Sequence, residues 1–298
     1  MIFTDLAEIF HESYNHSLSS QVRSPGPTGS TITSVTGESM RIRATLGVVT
    51  GALALSVLAV PAAQADEVQG DTTISGVVVN GGKAVVVGAT AKKTITVSFT
   101  VKDASGVGWA QAILYHGSDI ESSDTGAVAT SSNHRSTCTA VNATTSTCKA
   151  TYNLEPGAEV FNFAAGGWKV WAIATGKDND YVQKDNAKGF QVQRLSKLTA
   201  NAAPEPVKKG KTITVTGKLT RANWDAGTYS GYSTQPVKLQ FRKKGASTYT
   251  TVKTIKTSST GALKTTVKAT VDGYFRYSFA GTSTTPAVNA AGDFVDVK

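Results

Sequence analysis

One pentapeptide, Lys-Thr-Ile-Thr-Val, occurs twice in this chain, at residues 93–97 and again at 211–215. Each copy opens a stretch in which apolar and polar residues alternate, the period that sends successive side chains to opposite faces of a β-strand. A matching aromatic segment follows each copy: Gly167-Trp168-Lys169-Val170-Trp171 after the first, Gly273-Tyr274-Phe275-Arg276-Tyr277 after the second. Two copies of one β-rich unit explain both pairs. The extra length of the first copy falls around Cys138 and Cys148 and around the acidic stretch 119–124.

The alternation predicts strands near 72–79, 93–101, 108–115, 135–141, 146–154, 167–175 and 188–194 in the first unit. In the second it predicts strands near 236–242, 248–256, 263–269 and 294–297, with turn residues at 244–246, 259–261 and 272–273 between them. Helical periodicity is nearly absent, and only 157–165 has the composition of a short helix. Strands at this rhythm make small antiparallel sandwiches, so the fold class is all-β with two sandwich domains in tandem, 66–197 and 198–298. The boundary is expected near Ser196, with the proline-containing segment 202–206 as a short, stiff linker.

Residues 40–65 read as an export signal: Met40, basic Arg41 and Arg43, an apolar run at 46–60, then Pro61 and the small-x-small site Ala63-Gln64-Ala65. Cleavage there leaves Asp66 as the first residue, and the run is too short and too interrupted for a membrane span. Residues 1–39 are expected to be a leader upstream of the true start, or else a disordered extension. The expected location is therefore extracellular. There Cys138 and Cys148 are expected to form a disulfide across two short strands. A zinc site using His134 is the alternative, without the paired CxxC spacing that marks such sites.

Charge divides unevenly. Residues 66–197 hold 12 Lys plus Arg and 12 Asp plus Glu, whereas 198–298 hold 15 against 5. A basic face attracts anionic cell-wall polymers or glycans, or else is an ordinary solvated face that keeps the protein monomeric and soluble.

Residues 101–107 look like the turn between strands B and C of an immunoglobulin-like domain, 167–174 with the following Asp178 like strand F and its loop, and 198–298 like a threonine-rich C-terminal module. On these residues the chain resembles bacterial immunoglobulin-like domains of secreted and surface proteins, especially those of high-GC Gram-positive bacteria. Its layout from 40 to 298 is similar to that of small secreted actinobacterial proteins labelled calcium-binding. The resemblance implies two immunoglobulin-like sandwiches.

Oxygen-rich clusters suit calcium, which takes six to eight oxygen ligands. Asp178, Asn179 and Asp180, with Asp185 and Asn186 beyond them, provide such a cluster, and Asp103 on the B-to-C loop is expected at the same end of the sandwich. The competing reading is that these residues make turns by bonding their own backbone. Asp119, Glu121 and Asp124 form a second, looser acidic loop. Trp168, Trp171, Tyr274 and Tyr277 are expected in the cores, with Tyr274 also placed like a tyrosine corner. Trp224, Tyr229 and Tyr232 fall in a glycine-rich stretch without alternation, read as a long loop whose exposed rings bind sugar or a protein partner. No hydrolase elbow, metalloprotease motif or phosphate loop is present. The chain is thus expected to be a non-enzymatic binding or structural protein, with calcium as its cofactor and no specific nucleic-acid partner. An adhesion-type or inhibitor-type module using the 224–232 loop is the alternative.

Overall fold

Alternation becomes burial most cleanly where the first pentapeptide sits. Ile95, Val97, Phe99 and Val101 are all buried, while the residues between them face outward. These residues belong to a computed structural model that describes residues 66–298. The leader and export signal read at 1–65 lie outside the described residues.

The first sandwich comprises β1 (Glu67–Gln69), β2 (Thr73–Val79), β3 (Val85–Val87), β4 (Lys93–Lys102), β5 (Val107–His116), β6 (Thr125–Ala127), β7 (Thr137–Asn142), β8 (Thr145–Leu154), β9 (Gly166–Gly176) and β10 (Tyr181–Arg194). One sheet runs β2-β4-β8-β7. The other runs β10-β9-β5-β6, with β1 antiparallel and β3 parallel on the outer edge of β10. This is the immunoglobulin arrangement, an A-B-E-D sheet facing a G-F-C sheet. The segment 157–165 holds a single 3-10 turn, Asn162–Ala164, in place of a helix.

The second sandwich comprises β11 (Ser196–Leu198), β12 (Asn201–Ala203), β13 (Thr212–Asn223), β14 (Thr228–Gly231), β15 (Pro236–Lys243), β16 (Thr250–Lys256), β17 (Ala262–Lys268), β18 (Gly273–Phe279), β19 (Val288–Asn289) and β20 (Asp293–Val295). Strand β13 carries β11, β12, β14 and β17, and the facing sheet runs β16-β15-β18 with β19 and β20 at its edge. It is again immunoglobulin-like. Residues 202–206, expected as a linker, are instead part of this sandwich. Ala202 is buried on β13 and donates its N–H to Asp293 at 2.6 Å, while Val207 bridges Val297. Only Leu195 separates β10 from β11.

Each sandwich has its own core. Tyr hydroxyls tie the two layers together in both, Tyr152 to the Ala112 carbonyl and Tyr277 to the Val215 carbonyl, each at 2.8 Å. Burial pushes these phenols up, Tyr277 to about 12, since the site disfavours the anion. Trp168 and Trp171 are buried as expected, whereas Tyr274 is only partly covered and packs its ring on Phe294.

Strand β13 breaks its own parity. Ile213, Val215 and Leu219 enter the second core, but beyond Leu219 the buried positions become Ala222 and Trp224, and these join the first core. A one-residue slip reverses which face a side chain takes. Here it hands the end of a strand from one sandwich to the other.

Candidate functional site

The outer end of the first sandwich gathers three carboxylates. Asp71 lies on the turn after β1, Asp103 follows β4, and Asp180 immediately precedes β10. One oxygen from each lies within 4.8 Å of the others. The turn Asp178-Asn179-Asp180 is closed by the Gly176 N–H donating to the Asp180 carbonyl at 2.7 Å. Asn179 sits there at φ 75°, a conformation that Asn tolerates better than most side chains. Glycines make room: a Cβ on Gly70 would overlap the Asp180 carboxylate, and one on Gly176 would overlap that of Asp103.

Asp103 is the fixed member. It is buried, and its carboxylate accepts the Ser105 N–H at 2.8 Å, the Ser105 hydroxyl at 2.5 Å and the Thr72 hydroxyl at 2.5 Å. Burial by itself raises its pKa. The Ser105 and Thr72 hydrogen bonds outweigh that effect and hold it below the ordinary value. Asp180 accepts the Asp71 N–H at 3.1 Å, and Asp71 a long contact from the Ala104 N–H at 3.4 Å. Asp178 borders the group, with its carboxylate accepting the Asp180 N–H at 3.2 Å and its own N–H donating to Ser105 at 3.2 Å. Among the described residues, no Lys, Arg or His lies within ion-pair distance of these four acids.

The donor set fits a hard cation. Oxygens bound to calcium at about 2.4 Å lie at most about 4.8 Å apart, and three clustered carboxylates with no countercharge repel one another. Sequence reasoning brought Asp103 and Asp180 to this end and missed Asp71, whose only signal was its place in Gly70-Asp71.

Asp185 does not join the cluster. It lies on β10, where the strand bulges between Lys184 and Lys188, and is buried beside Tyr115, whose hydroxyl donates to its backbone carbonyl at 2.7 Å. Burial raises its pKa, against hydrogen bonds from Gln183 and Trp171 that lower it. In the looser acidic loop, Asp119 accepts the Ser122 and Ser118 hydroxyls and the Ser122 N–H, which lower its pKa to about 2. Asp124 pairs with His116 at 2.7 Å. These are turn and strand-end roles.

Cys138 and Cys148 are directly opposite on β7 and β8 and form a disulfide. With both sulfurs bonded, the zinc alternative loses its thiolates, and His134 instead meets the Ala129 carbonyl at 2.8 Å.

The expected ligand loop at 223–231 is a hairpin. Asn223 of β13 pairs with Thr228 of β14, and Trp224 is 1 % exposed, its indole N–H facing the Val87 carbonyl at 3.4 Å. Tyr229 packs on the first core under Lys197, whose ammonium lies 3.6 Å from the ring centre. Tyr232 packs on the second core, 5.8 Å from Phe279 and covered by Arg221 at 3.9 Å. These rings are therefore not an open sugar platform.

Around Trp224 the two sandwiches interlock. The Asn162 amide donates to Asn223 at 2.6 Å and Asp225 at 2.7 Å and accepts the Trp224 N–H at 3.0 Å. Arg194 of β10 is buried and donates to the Ala222 carbonyl at 2.6 Å. Desolvation and then Arg221 lower its pKa to about 10, so it stays charged at neutral pH.

No protein-family model matches the chain, and no curated protein matches it. Among solved structures it is similar to the Yersinia pseudotuberculosis adhesin InvE at 13 % identity, covering 75 % of this chain and 58 % of that one, with a TM-score of 0.25. This chain thus spans less than two thirds of the InvE chain. The D00-D0 domain of intimin matches at 14 % identity over 75 % of this chain and 99 % of that one, TM-score 0.25. The three N-terminal domains of the bacteriophage RB49 outer capsid protein Hoc match at 10 % over 78 % and 71 %, TM-score 0.29. Scores this low leave the functional argument to the chain's own residues. Among those described, no helix is long and apolar enough to cross a membrane.

Proposed function

We propose that this is a non-enzymatic extracellular binding or structural protein, a monomer in which two immunoglobulin-like sandwiches act as one rigid body. The observation that supports the rigid coupling is Trp224, which the second sandwich contributes to the core of the first. An indole of this size buries roughly 150–250 Å², worth on the order of 4–6 kcal/mol. That energy couples the sandwiches. Scanning calorimetry of the full chain tests it: one cooperative transition is expected, and two well-separated transitions would contradict it.

A second reading concerns what the body holds. The end built by Asp71, Asp103 and Asp180 is suited to calcium, with Asp178 next to it, and the basic second sandwich to an anionic wall polymer or glycan. The bound ion would neutralise the three carboxylates and fix the turn before β10. Calorimetric titration with calcium checks this: heat should appear for the wild type and vanish for D71A/D180A. A silent wild type removes the metal, and unchanged binding in the variant moves it elsewhere.

A further inference from the structure

The outward face of the β15–β18 sheet carries a ladder of cations, two of them over aromatic rings. On β15 the outward positions include Lys238, Gln240 and Arg242, and directly opposite them on β18 stand Ser278, Arg276 and Tyr274. The Arg242 guanidinium lies 4.2 Å from the Tyr274 ring centre and 5.2 Å from that of Tyr249. The Arg276 guanidinium lies 3.8 Å from the Tyr249 ring centre and donates to Gln240 at 2.9 Å. Tyr274 in turn packs on Phe294 of β20, 5.2 Å away. Among the described residues, none of Lys238, Arg242 and Arg276 has a carboxylate within ion-pair distance. Same-face positions recur roughly every 7 Å along a strand, so these cations form a zigzag of fixed spacing.

Next to the ladder opens a cavity of about 420 Å³ lined by Lys209, Lys243, Lys244 and Lys298 together with Asp272. Lys244 is paired with Asp272 at 3.6 Å and Lys298 with Asp296 at 2.7 Å. Lys209 and Lys243 have no carboxylate partner among the described residues.

We infer that this face and the adjoining lysine cavity together bind an acidic polysaccharide. This rests on the polymer association proposed above and assigns it a surface. Rings over the guanidinium groups, with the Arg242 bond to the Ala246 carbonyl at 2.6 Å and the Arg276 bond to Gln240, restrain both side chains and lower the entropy lost when they meet carboxylates or sulfates. The same cover leaves less of each ring open for the base stacking that single-stranded nucleic acid requires. The disulfide also fits an oxidising, extracytoplasmic compartment, away from the cell's nucleic acid. Lysines of the cavity would take a neighbouring acidic group as a point charge.

The test is calorimetric binding of the full chain to heparin, with neutral dextran and duplex DNA as controls. R242A/R276A should weaken heparin binding about tenfold or more, since both charge-assisted forks are lost. R242K/R276K, which keeps the charge and removes the fork, should fall between. K83A/K149A, an equal charge loss on the first sandwich, should leave affinity within about twofold. A wild type that ignores heparin sinks the polymer association itself, with the rigid-body reading untouched. Heparin binding that R242A/R276A does not weaken, or that K83A/K149A weakens equally, overturns only the assigned surface. Equal, Arg-dependent binding of DNA overturns the polysaccharide assignment.

Discussion

The two sandwiches share a topology and place their charge differently. The first is balanced in sign and concentrates three carboxylates at the ends of its strands, where hydrogen bonds from Ser105 and Thr72 fix Asp103. The second is strongly basic and spreads its cations over the outward face of a sheet. Inward positions are constrained by packing in both, and outward positions and loops are where the copies diverge. A strand-end cluster is local and partly desolvated, so salt affects it weakly. A charged face acts at longer range and is screened within about 8–10 Å at physiological salt.

Four perturbations sharpen that contrast. The largest effect is expected from W224A, which removes a side chain of the second sandwich from the core of the first and should cost about 3–5 kcal/mol in denaturant unfolding. Near-identity with wild type would mean that each sandwich is stabilised alone. Next, C138A/C148A should cost roughly 2–3 kcal/mol, because the disulfide closes a short loop. Denaturant unfolding followed by the near-ultraviolet dichroism of the buried tryptophans checks the shift.

Asp103 comes third. D103A leaves Ser105 and Thr72 without an acceptor and should cost roughly 1–3 kcal/mol at pH 7. Since folding lowers this carboxylate's pKa below its ordinary 3.8, the stability it contributes is present above that value and is lost as pH falls through the folded one. Wild type and D103A should therefore converge in acid melts, and a constant gap would refute the role. The smallest effect is D185N. Burial raises the Asp185 pKa, so the ionised form costs stability at neutral pH, and the amide should gain up to about 1 kcal/mol there. Near pH 3, where the native carboxyl is protonated, the gain should vanish.

Much of the fold was legible because alternation reports burial directly, as in Ile95 to Val101 and Val237 to Leu239. The short strands β1, β3, β11, β12 and β19 were not, because two or three residues cannot display a period. At the candidate site, Asp103 and Asp180 were legible from immunoglobulin-like loop placement. Asp71 was not, since its strand β1 has only three residues, all exposed. The aromatic loop misled for a definite reason. Ala222, at the end of β13, and Trp224, just past it, continue the period-two spacing after a single slip into the other core, and the tight hairpin that follows has no period of its own.

The rigid coupling of unlike sandwiches is tested most directly by residual dipolar couplings on the full chain. Amides of β4, β8 and β9 and those of β13, β15 and β18 should fit one alignment tensor in the wild type, and W224A should split it into two of different magnitude. Two independent tensors in the wild type would contradict the account.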